Sequence, residues 1–364
     1  MSNVSFIEKL LDGVDVEWKA LGEAVTTITA PSKVKKEVYR ATGKTPIIDQ
    51  GKGFIAGYTD ENIAPVKSDE YIVFGDHSEH IKYVYFSFVQ GADGLKILKS
   101  TLNNTKYIYY AFQTFYLKEL SYKRHWSTAK ETLIPIPPLS IQTEIVRILD
   151  TFTTHTAELT AELTARKKQY NYYRDQLLTF EYGDVEWKAL GEVVRIKRGK
   201  RLVKSQLETS GNYAVYQNSM TPLGYYHDGN VKSDTTFIIS AGAAGKIGYS
   251  NYDFWAADDV YFFLTPDNIE SKFLYYFLLT QQNKISSQVR WASIPRLSKK
   301  VVERLQISIP PLAEQTRIVS ILDKFDALTN SISEGLPREI KLRQQQYEYY
   351  RDLLLSFPKS ETTA

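Results

Sequence analysis

The chain has 364 residues, 43% of them hydrophobic and 24% charged, which is the ordinary composition of a globular protein with two or three domains. Its formal net charge is only +3, so any surface for nucleic acid must come from local clusters of basic residues. The absence of cysteine excludes disulfides, thiolate metal sites and cysteine nucleophiles, and it fits the reducing cytoplasm in which we expect the protein to act.

The first 14 residues lack the basic start and long apolar core of a signal peptide, and no apolar run in the chain is long enough to span a membrane. The stretch from Phe6 to Trp18 looks like a compressed copy of the stretch from Tyr173 to Trp187. We therefore expect residues 1–14 to pack near the C-terminal helix, closing the two halves of the chain into a pseudo-twofold object.

The sequence contains a long internal duplication. The nonapeptide DVEWKALGE occurs at residues 15–23 and again at 184–192. Three shorter motifs also occur twice in the same order: IPPL at 136–139 and 309–312, ILD at 148–150 and 321–323, and YYRD at 172–175 and 349–352. This pattern indicates a variable region, a constant region, a second variable region and a second constant region.

The variable regions, residues 15–135 and 184–309, have the mixed pattern of α/β domains. Short apolar runs bounded by Gly, Asp, Asn and Ser predict strands at 71–74, 83–86, 237–239 and 260–264. Stretches rich in Tyr and Phe predict helices at 106–117 and 271–282. The expected fold class is α+β, with two pseudo-twofold-related mixed α/β domains separated by two long antiparallel helices that form a coiled coil.

The constant regions, residues 136–183 and 310–364, carry apolar residues at spacings of three, four and seven, which is typical of an amphipathic helix or a coiled-coil seam. The first helix is expected from 141 to 178, with Ser140 as a candidate cap. In the second, from about 314 to 355, Pro337 predicts a kink or a restart. We expect the helices to pair, although they could merely cover the variable domains. The seam residues are Ile145, Ile148, Phe152, Leu159, Leu163, Tyr170, Tyr173, Leu177, Ile318, Ile321, Phe325, Leu328, Tyr347, Tyr350 and Leu354.

The first helix contains the tetrapeptide repeat TAELTAEL at residues 156–163. Adding four residues lengthens a helix by about 6 Å, and a DNA base pair rises by about 3.4 Å. The repeat therefore predicts a ruler between two globular units. The alternative is that Ala, Glu and Leu are simply strong helix formers, which explains the composition but not the exact repetition.

Basic residues cluster in both variable regions and predict contacts to DNA phosphates, while Gln and Asn in loops predict contacts to base edges. A solvated surface role is the alternative for each residue taken singly. The DNA-binding candidates are Lys35, Lys36, Arg40, Gln50, Lys52, Lys123, Arg124, His125, Lys197, Arg198, Lys200, Arg201, Lys204, Gln217, Asn218, Lys246, Arg290, Arg296 and Lys299.

No catalytic residue is predicted. The stretch from Gly242 to Lys246 resembles a phosphate-binding loop, but Ile247 stands where Ser or Thr should bind magnesium. His77 and His80 have a spacing found in metal sites, yet their only acidic neighbours in the sequence are Asp76 and Glu79. We therefore predict neither a metal site nor a cofactor in this chain.

The duplicated plan, the segments from IPPL to YYRD, the TAELTAEL repeat and the GLPREI segment at 335–340 closely resemble the specificity subunits of type I restriction–modification systems. More narrowly, they resemble the type IC-like subfamily, whose central helix carries TAEL repeats and whose gap length varies with TAEL copy number. The resemblance is close at residues 1–23, 136–192 and 309–358, and only architectural in the variable regions.

This resemblance implies that two target recognition domains each read one half-site of double-stranded DNA while the helices set the gap. It also implies that two methyltransferase subunits and a motor–nuclease restriction subunit dock on the chain. S-adenosylmethionine, ATP and magnesium then belong to those partners. The predicted function is a non-catalytic DNA specificity subunit. The alternatives are a self-sufficient DNA methyltransferase or nuclease, and a coiled-coil scaffold that binds proteins.

Overall fold

The computed structural model describes residues 10–91, 93–181, 185–331 and 333–358. The chain divides into two compact units, residues 1–158 with 340–364, and residues 159–339. The first division falls inside the TAELTAEL repeat, between Glu158 and Leu159, and the second falls inside the GLPREI segment. Each unit therefore consists of one variable region and parts of both constant regions.

The first unit is a mixed α/β domain followed by part of a long helix. Its elements are β1 (Glu17–Ala20), α1 (Leu21–Ala24), β2 (Thr26–Ile28), β3 (Lys33–Val34), β4 (Thr45–Ile48), β5 (Gly57–Thr59), β6 (Tyr71–Gly75), β7 (Ile81–Val84), β8 (Val89–Gly91), β9 (Leu95–Lys99), α2 (Thr105–Phe115), α3 (Trp126–Ala129), β10 (Leu133–Ile136), the start of α4 (Leu139–Leu177) and the end of α10 (Gly335–Leu354).

The second unit repeats this order except that, among the described residues, it has no strand equivalent to β3 and has one further short helix. Its elements are the end of α4, β11 (Glu186–Ala189), α5 (Leu190–Val193), β12 (Arg195–Arg198), β13 (Tyr213–Tyr216), β14 (Gly224–Tyr226), β15 (Thr235–Ile239), β16 (Ile247–Ser250), β17 (Phe254–Ala256), β18 (Val260–Leu264), α6 (Ser271–Thr280), α7 (Gln282–Ser287), α8 (Lys299–Glu303), β19 (Gln306–Ile309) and α9 (Leu312–Asn330).

The sheets of the two units share their topology, except that the last sheet has four strands in the first unit and three in the second. In each unit an antiparallel ribbon, β1–β10 or β11–β19, joins the start of the domain to the strand before the long helix. A four-stranded antiparallel sheet follows, with order β2-β9-β6-β7 in the first unit and β12-β18-β15-β16 in the second. The remaining sheet is β3-β8-β4-β5 in the first unit and β14-β13-β17 in the second.

The central strand β6 is buried on both faces, which explains its continuous apolar run. Ile72 and Phe74 pack in the cluster formed with helix α2, whereas Tyr71 and Val73 pack in the cluster beneath the other sheet. Alternate side chains of a strand point to opposite faces, so one strand contributes to two cores. In the second unit β15 does the same, with Ile238 in the helix-side cluster and Phe237 in the other.

A buried glutamine fastens each domain to the start of its long helix. The side-chain carbonyl of Gln142 accepts from the backbone N–H of Asn104 at 2.9 Å, and its amide donates to the carbonyl of Pro137 at 2.8 Å. Gln315, in the equivalent position, accepts from the backbone N–H of Glu270 at 2.9 Å and donates to the carbonyl of Pro310 at 2.9 Å. These hydrogen bonds replace the ones that the buried backbone groups would make to water in the unfolded chain.

An aspartate about two turns further along each helix makes a second contact between helix and domain. Asp150 pairs with Lys106 at 2.7 Å and accepts from the hydroxyl of Tyr110 at 2.7 Å. In the second unit Asp323 pairs with Lys272 at 2.8 Å and accepts from the hydroxyl of Tyr276 at 2.6 Å. Burial, strengthened by the neighbouring carboxylate, raises the pKa of both tyrosines, so they remain hydrogen-bond donors at neutral pH.

In each unit a phenylalanine of one constant region stacks on a tyrosine of the other. Phe152 lies on Tyr350 with ring centroids 5.2 Å apart and an interplanar angle of 20°. In the second unit Tyr173 lies on Phe325 at 5.7 Å and 28°. Phe152 is equivalent to Phe325, and Tyr350 is equivalent to Tyr173. Each pair therefore combines the phenylalanine of one repeat with the tyrosine of the other, as expected of an internal twofold duplication.

The structure confirms the mixed α/β class, the two domains and the long helices, and it corrects several details. Helix α4 begins at Leu139, so Ser140 lies within its first turn and does not cap it. The strand predicted at 83–86 lies at Ile81–Val84. The second helix stops at Asn330 and restarts at Gly335, where φ is +76° and a Cβ would lie 2.3 Å from the carbonyl oxygen of Ala327. A restart, rather than a kink, therefore follows from the backbone at Gly335.

The first turns of the long helices belong to the domain cores. Ile145 and Ile318 are fully buried in the cores of their domains, as are Leu149 and Leu322, which the predicted seam omits. Along the TAELTAEL stretch the more buried positions are Phe152, Thr156, Leu159 and Leu163, with spacings of four, three and four. Among the other predicted seam residues, Tyr173 is 42% exposed. The rest are buried or half-buried, namely Ile148, Tyr170, Leu177, Ile321, Phe325, Leu328, Tyr347, Tyr350 and Leu354.

The first and last described residues of the chain lie close to the core of the first unit. Leu10 and Leu11 pack against the apolar cluster that contains Leu354 of α10, and the indole of Trp18 donates to the carbonyl of Pro358 at 3.0 Å. The expectation for residues 1–14 falls partly on residues 1–9, which lie outside the described residues.

Replacing Gln142 with alanine tests the glutamine fastening. The change leaves the backbone N–H of Asn104 and the carbonyl of Pro137 without their partner, so the free energy of unfolding of the first unit should fall by about 2–3 kcal/mol. Urea denaturation followed by tryptophan fluorescence measures the change, with Gln344→Ala on the exposed surface of α10 as the control. Equal denaturation midpoints for the two variants would contradict the assignment.

Candidate nucleic-acid interface

Three loops of the first domain meet beside the turn between β6 and β7. Gln50, in the loop after β4, accepts a hydrogen bond from the backbone N–H of His77 at 3.2 Å and donates one to the carbonyl of Asp93 at 3.3 Å. The imidazole Nδ1 of His77 lies 3.1 Å from the carbonyl of Lys123, in the loop after α2. The predicted residues Gln50, Lys123 and Arg124 therefore belong to one surface, which we call the first loop surface.

A glycine allows these loops to approach closely. Gly94 has a φ of +89°, and a Cβ at this position would lie 2.9 Å from Cδ2 of His77 and 3.2 Å from Oε1 of Gln50. Any other residue would therefore be strained and would push the loops apart.

Cations surround this turn. Burial lowers the pKa of the His80 imidazole, and the positive charges of Lys118, Lys82 and Lys52 lower it further. Lys33 pairs with Asp93 at 3.0 Å, and the hydrogen bond from this lysine holds the pKa of Asp93 below its usual range. Exposed Lys52, Lys118, Lys123 and Arg124 lie in the loops around this turn, so the first loop surface presents cations that suit a polyanion.

Two buried charges at the turn hold the neighbouring loops in place. Lys82 is 6% exposed, and its ammonium donates to the carbonyls of Asp49 at 2.7 Å and Gly53 at 2.6 Å, which fixes the loop that carries Gln50. Burial lowers the pKa of Lys82, and the carboxylate of Asp49 opposes that shift. Because the two carbonyls satisfy the ammonium, the buried cation is tolerated.

Glu79 is the second buried charge, and it holds the loop after α2. Its carboxylate is 2% exposed and accepts from the hydroxyl of Tyr116 at 2.7 Å and from the backbone N–H groups of Glu119 and Leu120, each at 2.8 Å. Burial alone would raise the pKa of Glu79, but these three donors and nearby His125 outweigh it and lower the pKa below its ordinary value. The ionised carboxylate is therefore the anchor of this loop.

The second domain brings the equivalent loops together with different chemistry. The backbone N–H of Ala243, in the turn between β15 and β16, donates to the carbonyl of Asn218 at 2.8 Å. The N–H of Gly242 donates to the carbonyl of Pro295 at 3.1 Å, and Arg290 and Arg296 pair through their backbones. This second loop surface unites the predicted residues Asn218, Lys246, Arg290 and Arg296.

The basic stretch at 195–204 lies along β12, an edge strand of the second domain, and the loop that follows it. The guanidinium of Arg198 donates to the carbonyl of Asp258 at 2.5 Å, and the backbone N–H of Ser240 donates to the carbonyl of the adjacent Asp259 at 2.7 Å. The stretch therefore borders the turn that forms the second loop surface. Its predicted residues are all exposed: Lys197, Arg198, Lys200, Arg201 and Lys204.

Apart from Lys52, which lies in the loop that carries Gln50, the remaining candidates do not join the two loop surfaces, and most of them are exposed. Lys35 and Lys36 lie at the start of a short 3₁₀ turn, and Arg40 pairs through its backbone with Tyr58. Lys52 is exposed in the loop held by Lys82, whereas Gln217 and Lys299 are half-buried.

His125 is a correction to the predicted set. It is fully buried, and its Nε2 lies 2.8 Å from the carbonyl of Ser121, so this nitrogen donates. Its Nδ1 lies 3.5 Å from the carboxylate of Glu79. A side chain in this position supports the loop from within and does not reach solvent, so it is removed from the DNA-contacting set.

Two exposed aromatic residues were missing from the prediction. Tyr122 is 93% exposed and stacks on His77 with centroids 5.6 Å apart, and Trp291 is 76% exposed beside Arg290. Each is adjacent in the sequence to a predicted basic residue, Lys123 or Arg290. An aromatic residue beside a basic cluster is therefore the sequence pattern that could have identified them. Base stacking on aromatic rings is a common mode of nucleic-acid recognition.

The structure bears on the two near-motifs of the sequence, the histidine pair and the loop from Gly242 to Lys246. Among the described ranges, no group of three or more His, Cys, Asp or Glu side chains could hold a metal ion. The stretch from Gly242 to Lys246 is a tight turn in which the N–H groups of Gly242, Ala243 and Gly245 all donate to carbonyls of the domain itself. Those N–H groups therefore do not form a phosphate cradle.

Comparison with known proteins decides the family. The model of the type I restriction modification DNA specificity domain matches the chain twice, over residues 13–167 and 182–342. The chain belongs to this family. It is 40% identical to the specificity subunit of the type I restriction enzyme EcoR124I/EcoR124II of Escherichia coli over the whole of both chains. It is 33% identical to a putative type I specificity subunit of Haemophilus influenzae, over 98% of this chain and 99% of that one.

Solved structures agree on the fold. A type I restriction–modification S subunit from M. genitalium matches with a TM-score of 0.69 at 18% identity, over 96% of this chain and 98% of that one. A chain from a structure of complex assembly and conformational transition in the type I R-M system matches with a TM-score of 0.58 at 17% identity, over 95% and 98%. These likenesses support the same architecture of two domains and long helices.

The specificity-subunit assignment has direct consequences. Relatives that match over their full length are named specificity subunits, which confirms the prediction of a non-catalytic DNA-recognition subunit over a self-sufficient enzyme or a scaffold. In the described parts of this specificity subunit, no helix combines the length and apolar character that a bilayer span requires.

The basic stretch of the specificity subunit can be tested by its salt dependence. Replacing Lys197, Arg198, Lys200 and Arg201 with alanine should weaken DNA binding and flatten the plot of log affinity against log salt by about 0.9 for each phosphate that the variant no longer neutralises. Titrations of the assembled complex at several salt concentrations measure the slope. Lys232→Ala is the control, because Asp253 already pairs with that cation at 2.9 Å. An unchanged slope in the quadruple variant would assign the stretch to ordinary surface.

Proposed function

We propose that this subunit reads a two-part duplex target, with one half-site contacted by each loop surface and the gap set by the helices. The observation that supports this most directly is the duplicated fastening, in which equivalent glutamine and aspartate residues bind each domain to its own long helix. A domain held at two points to a stiff helix keeps its orientation relative to that helix. Such a construction suits two reading domains that share one rigid spacer.

We further propose that the subunit belongs to the TAEL-repeat subfamily and that the repeat acts as a ruler. Helix α4 runs without interruption through residues 156–163, and the repeat preserves the alternation of three and four between its more buried positions. One tetrapeptide adds about 6 Å of helix, which corresponds to one to two base-pair steps. Inserting or deleting one unit therefore changes the spacer without altering either domain.

Two methyltransferase subunits are the proposed partners of the constant regions. Leu139 at the start of α4 and Leu312 at the start of α9 are equivalent, and they are 56% and 48% exposed. Tyr172 and Tyr349 are also equivalent, and they are 60% and 55% exposed. Because each unit carries one such leucine and one such tyrosine, the subunit offers two equivalent sets of exposed apolar residues for two copies of one partner.

The proposed assembly also includes a restriction subunit with motor and nuclease activity. S-adenosylmethionine, ATP and magnesium would bind to the partner subunits, and the complex would act on DNA in the cytoplasm. Methyl transfer and DNA cleavage would then take place in the partner subunits, while this chain determines the DNA sequence at which they act.

Deleting Thr160–Leu163 tests the ruler. The deletion should shorten the unspecified gap between the half-sites and leave both half-sites unchanged, because it removes about one helical turn from α4 and no residue of either loop surface. Mapping methylated adenines in a host that carries the whole system gives the target directly.

Duplicating the same four residues is the matched control and should lengthen the gap. Altered half-site sequences in either variant, or an unchanged gap in both, would overturn the ruler. Methylation that shows no two-part target in the wild type would overturn the proposed function itself.

The exposed residues proposed to bind the partners can be tested by stoichiometry. Replacing Leu139 and Tyr349 with alanine removes the exposed apolar set of the first unit, so the complex should retain one methyltransferase subunit instead of two. Native mass spectrometry of the purified complex gives the count. The matching pair, Leu312 and Tyr172, should give the same result for the second unit, and retention of two subunits by both variants would contradict the assignment.

A further inference from the structure

We propose that each domain presents a preformed aromatic tip, Tyr122 in the first domain and Trp291 in the second, that inserts against the bases of its half-site and unstacks a base step. The inference rests on the proposed function and adds to it the residues that deform the DNA. Its starting point is a pair of exposed apolar loops that occupy the same place in both domains.

The loop of the first domain exposes three large apolar side chains. Leu117, Leu120 and Tyr122 are 84%, 85% and 93% exposed, so water surrounds nearly all of their surface. They follow helix α2 and precede α3. Three large apolar side chains exposed within six residues of one loop indicate a contact with another molecule.

This loop is held rigidly even though its apolar side chains contribute little packing. The Glu79 carboxylate binds the backbone of Glu119 and Leu120, and the backbone of Trp126 donates to the carboxylate of Asp76 at 2.8 Å. Leu120 and Glu79 both have a φ of +55°, in the left-handed region that such residues seldom occupy. The fold thus accepts a buried charge and two unfavourable backbone conformations to keep an apolar loop ordered in water, which is typical of a binding site.

The second domain has a comparable tip with an unrelated sequence. The backbone N–H groups of Arg290 and Arg296 donate to each other's carbonyls at 2.8 and 3.0 Å, which closes a short loop. Within it Trp291 and Ile294 are 76% and 51% exposed. The backbone N–H of Leu297 donates to the carbonyl of Ser240 at 2.8 Å, as that of His125 does to Asp76 in the first domain, so the two loops occupy equivalent positions.

The surrounding charge identifies DNA as the occupant. The first tip lies among exposed Lys118, Lys123 and Arg124, with Glu119 as the neighbouring acid, and that acid is already paired with Lys123. The second tip lies between two exposed arginines, and residues 290–298 contain no acid. Apolar side chains flanked by cations are the arrangement by which proteins insert wedges into a base stack while holding the phosphates.

The test uses the complete complex of this chain with its methyltransferase subunits, bound to a duplex that contains both half-sites as mapped by methylation. 2-Aminopurine replaces single bases of one half-site at a time and reports unstacking by increased fluorescence. The methylated adenine is left unsubstituted, because a methyltransferase can extrude that base by itself.

Tyr122→Ala should abolish the fluorescence increase in the half-site read by the first domain and leave that of the other half-site intact. Trp291→Ala should give the reverse result. Each variant should lose affinity by about 5- to 150-fold, as expected for one stacked base, with an unchanged salt slope because no charge is removed. Tyr122→Phe keeps the ring and should retain the signal.

Two matched controls are exposed tyrosines outside the tips, Tyr85→Ala in the first domain and Tyr252→Ala in the second, and they should behave as the wild type. Glu79→Gln, which weakens the anchor of the first loop, should reduce the signal of the first half-site alone. Circular dichroism and methyltransferase stoichiometry verify that each variant is folded and assembled.

Several results would overturn the inference. One is an unchanged fluorescence signal and an unchanged DNA affinity in both tip variants. Another is that the tip variants lose their methyltransferase subunits while DNA binding stays intact, which would show that the tips dock onto protein. A wild-type complex that binds the mapped target without any unstacking would overturn the proposed role of the tips but not the proposed function. A wild-type complex with no preference for the two-part target would instead overturn the proposed function.

Discussion

The buried side chain at the start of each long helix is the contact on which the arrangement of this molecule depends. Gln142 and Gln315 each bind the backbone that leads into the main helix of the domain and also the proline-rich turn that starts the long helix. An amide is suited to this position because it donates and accepts at once, so a single uncharged side chain satisfies groups from both elements. Apolar packing alone would bury the same surface without fixing the angle between domain and helix.

The duplication made much of this architecture predictable from the sequence. A nine-residue identity and three motifs in constant order fix the two-domain plan, and the three-four spacing fixes the long helices. The predicted helix starts are too late. The backbone N–H groups of Ile141 and Gln142 already donate to the carbonyl of Pro138, so the first long helix begins before Ser140 and is not capped by it. Leu149 was missed because it faces the domain and not the helix seam, and periodicity does not say which partner a face meets.

The loop surfaces were only partly predictable. Basic clusters indicated the regions, but their assembly depends on hydrogen bonds between residues far apart in the sequence, such as Gln50 with His77 and Asn218 with Ala243. The buried charges Glu79 and Lys82 appear in the sequence as ordinary surface residues, because nothing in their neighbours indicates burial. The second domain forms the same junction with backbone bonds and glycines, so the geometry is shared while the side chains that create it are not.

The fastening contacts have a consequence for how such subunits diversify. On the side of the variable domain they require little: a lysine and a tyrosine four positions apart on one helix face, and a free backbone N–H before that helix. A different variable domain can make the same contacts if it supplies these groups and an apolar face for the buried residues of the long helix, whatever loops it carries at its far edge. A change in the loops that carry the recognition residues therefore leaves these fastening contacts with the constant regions intact.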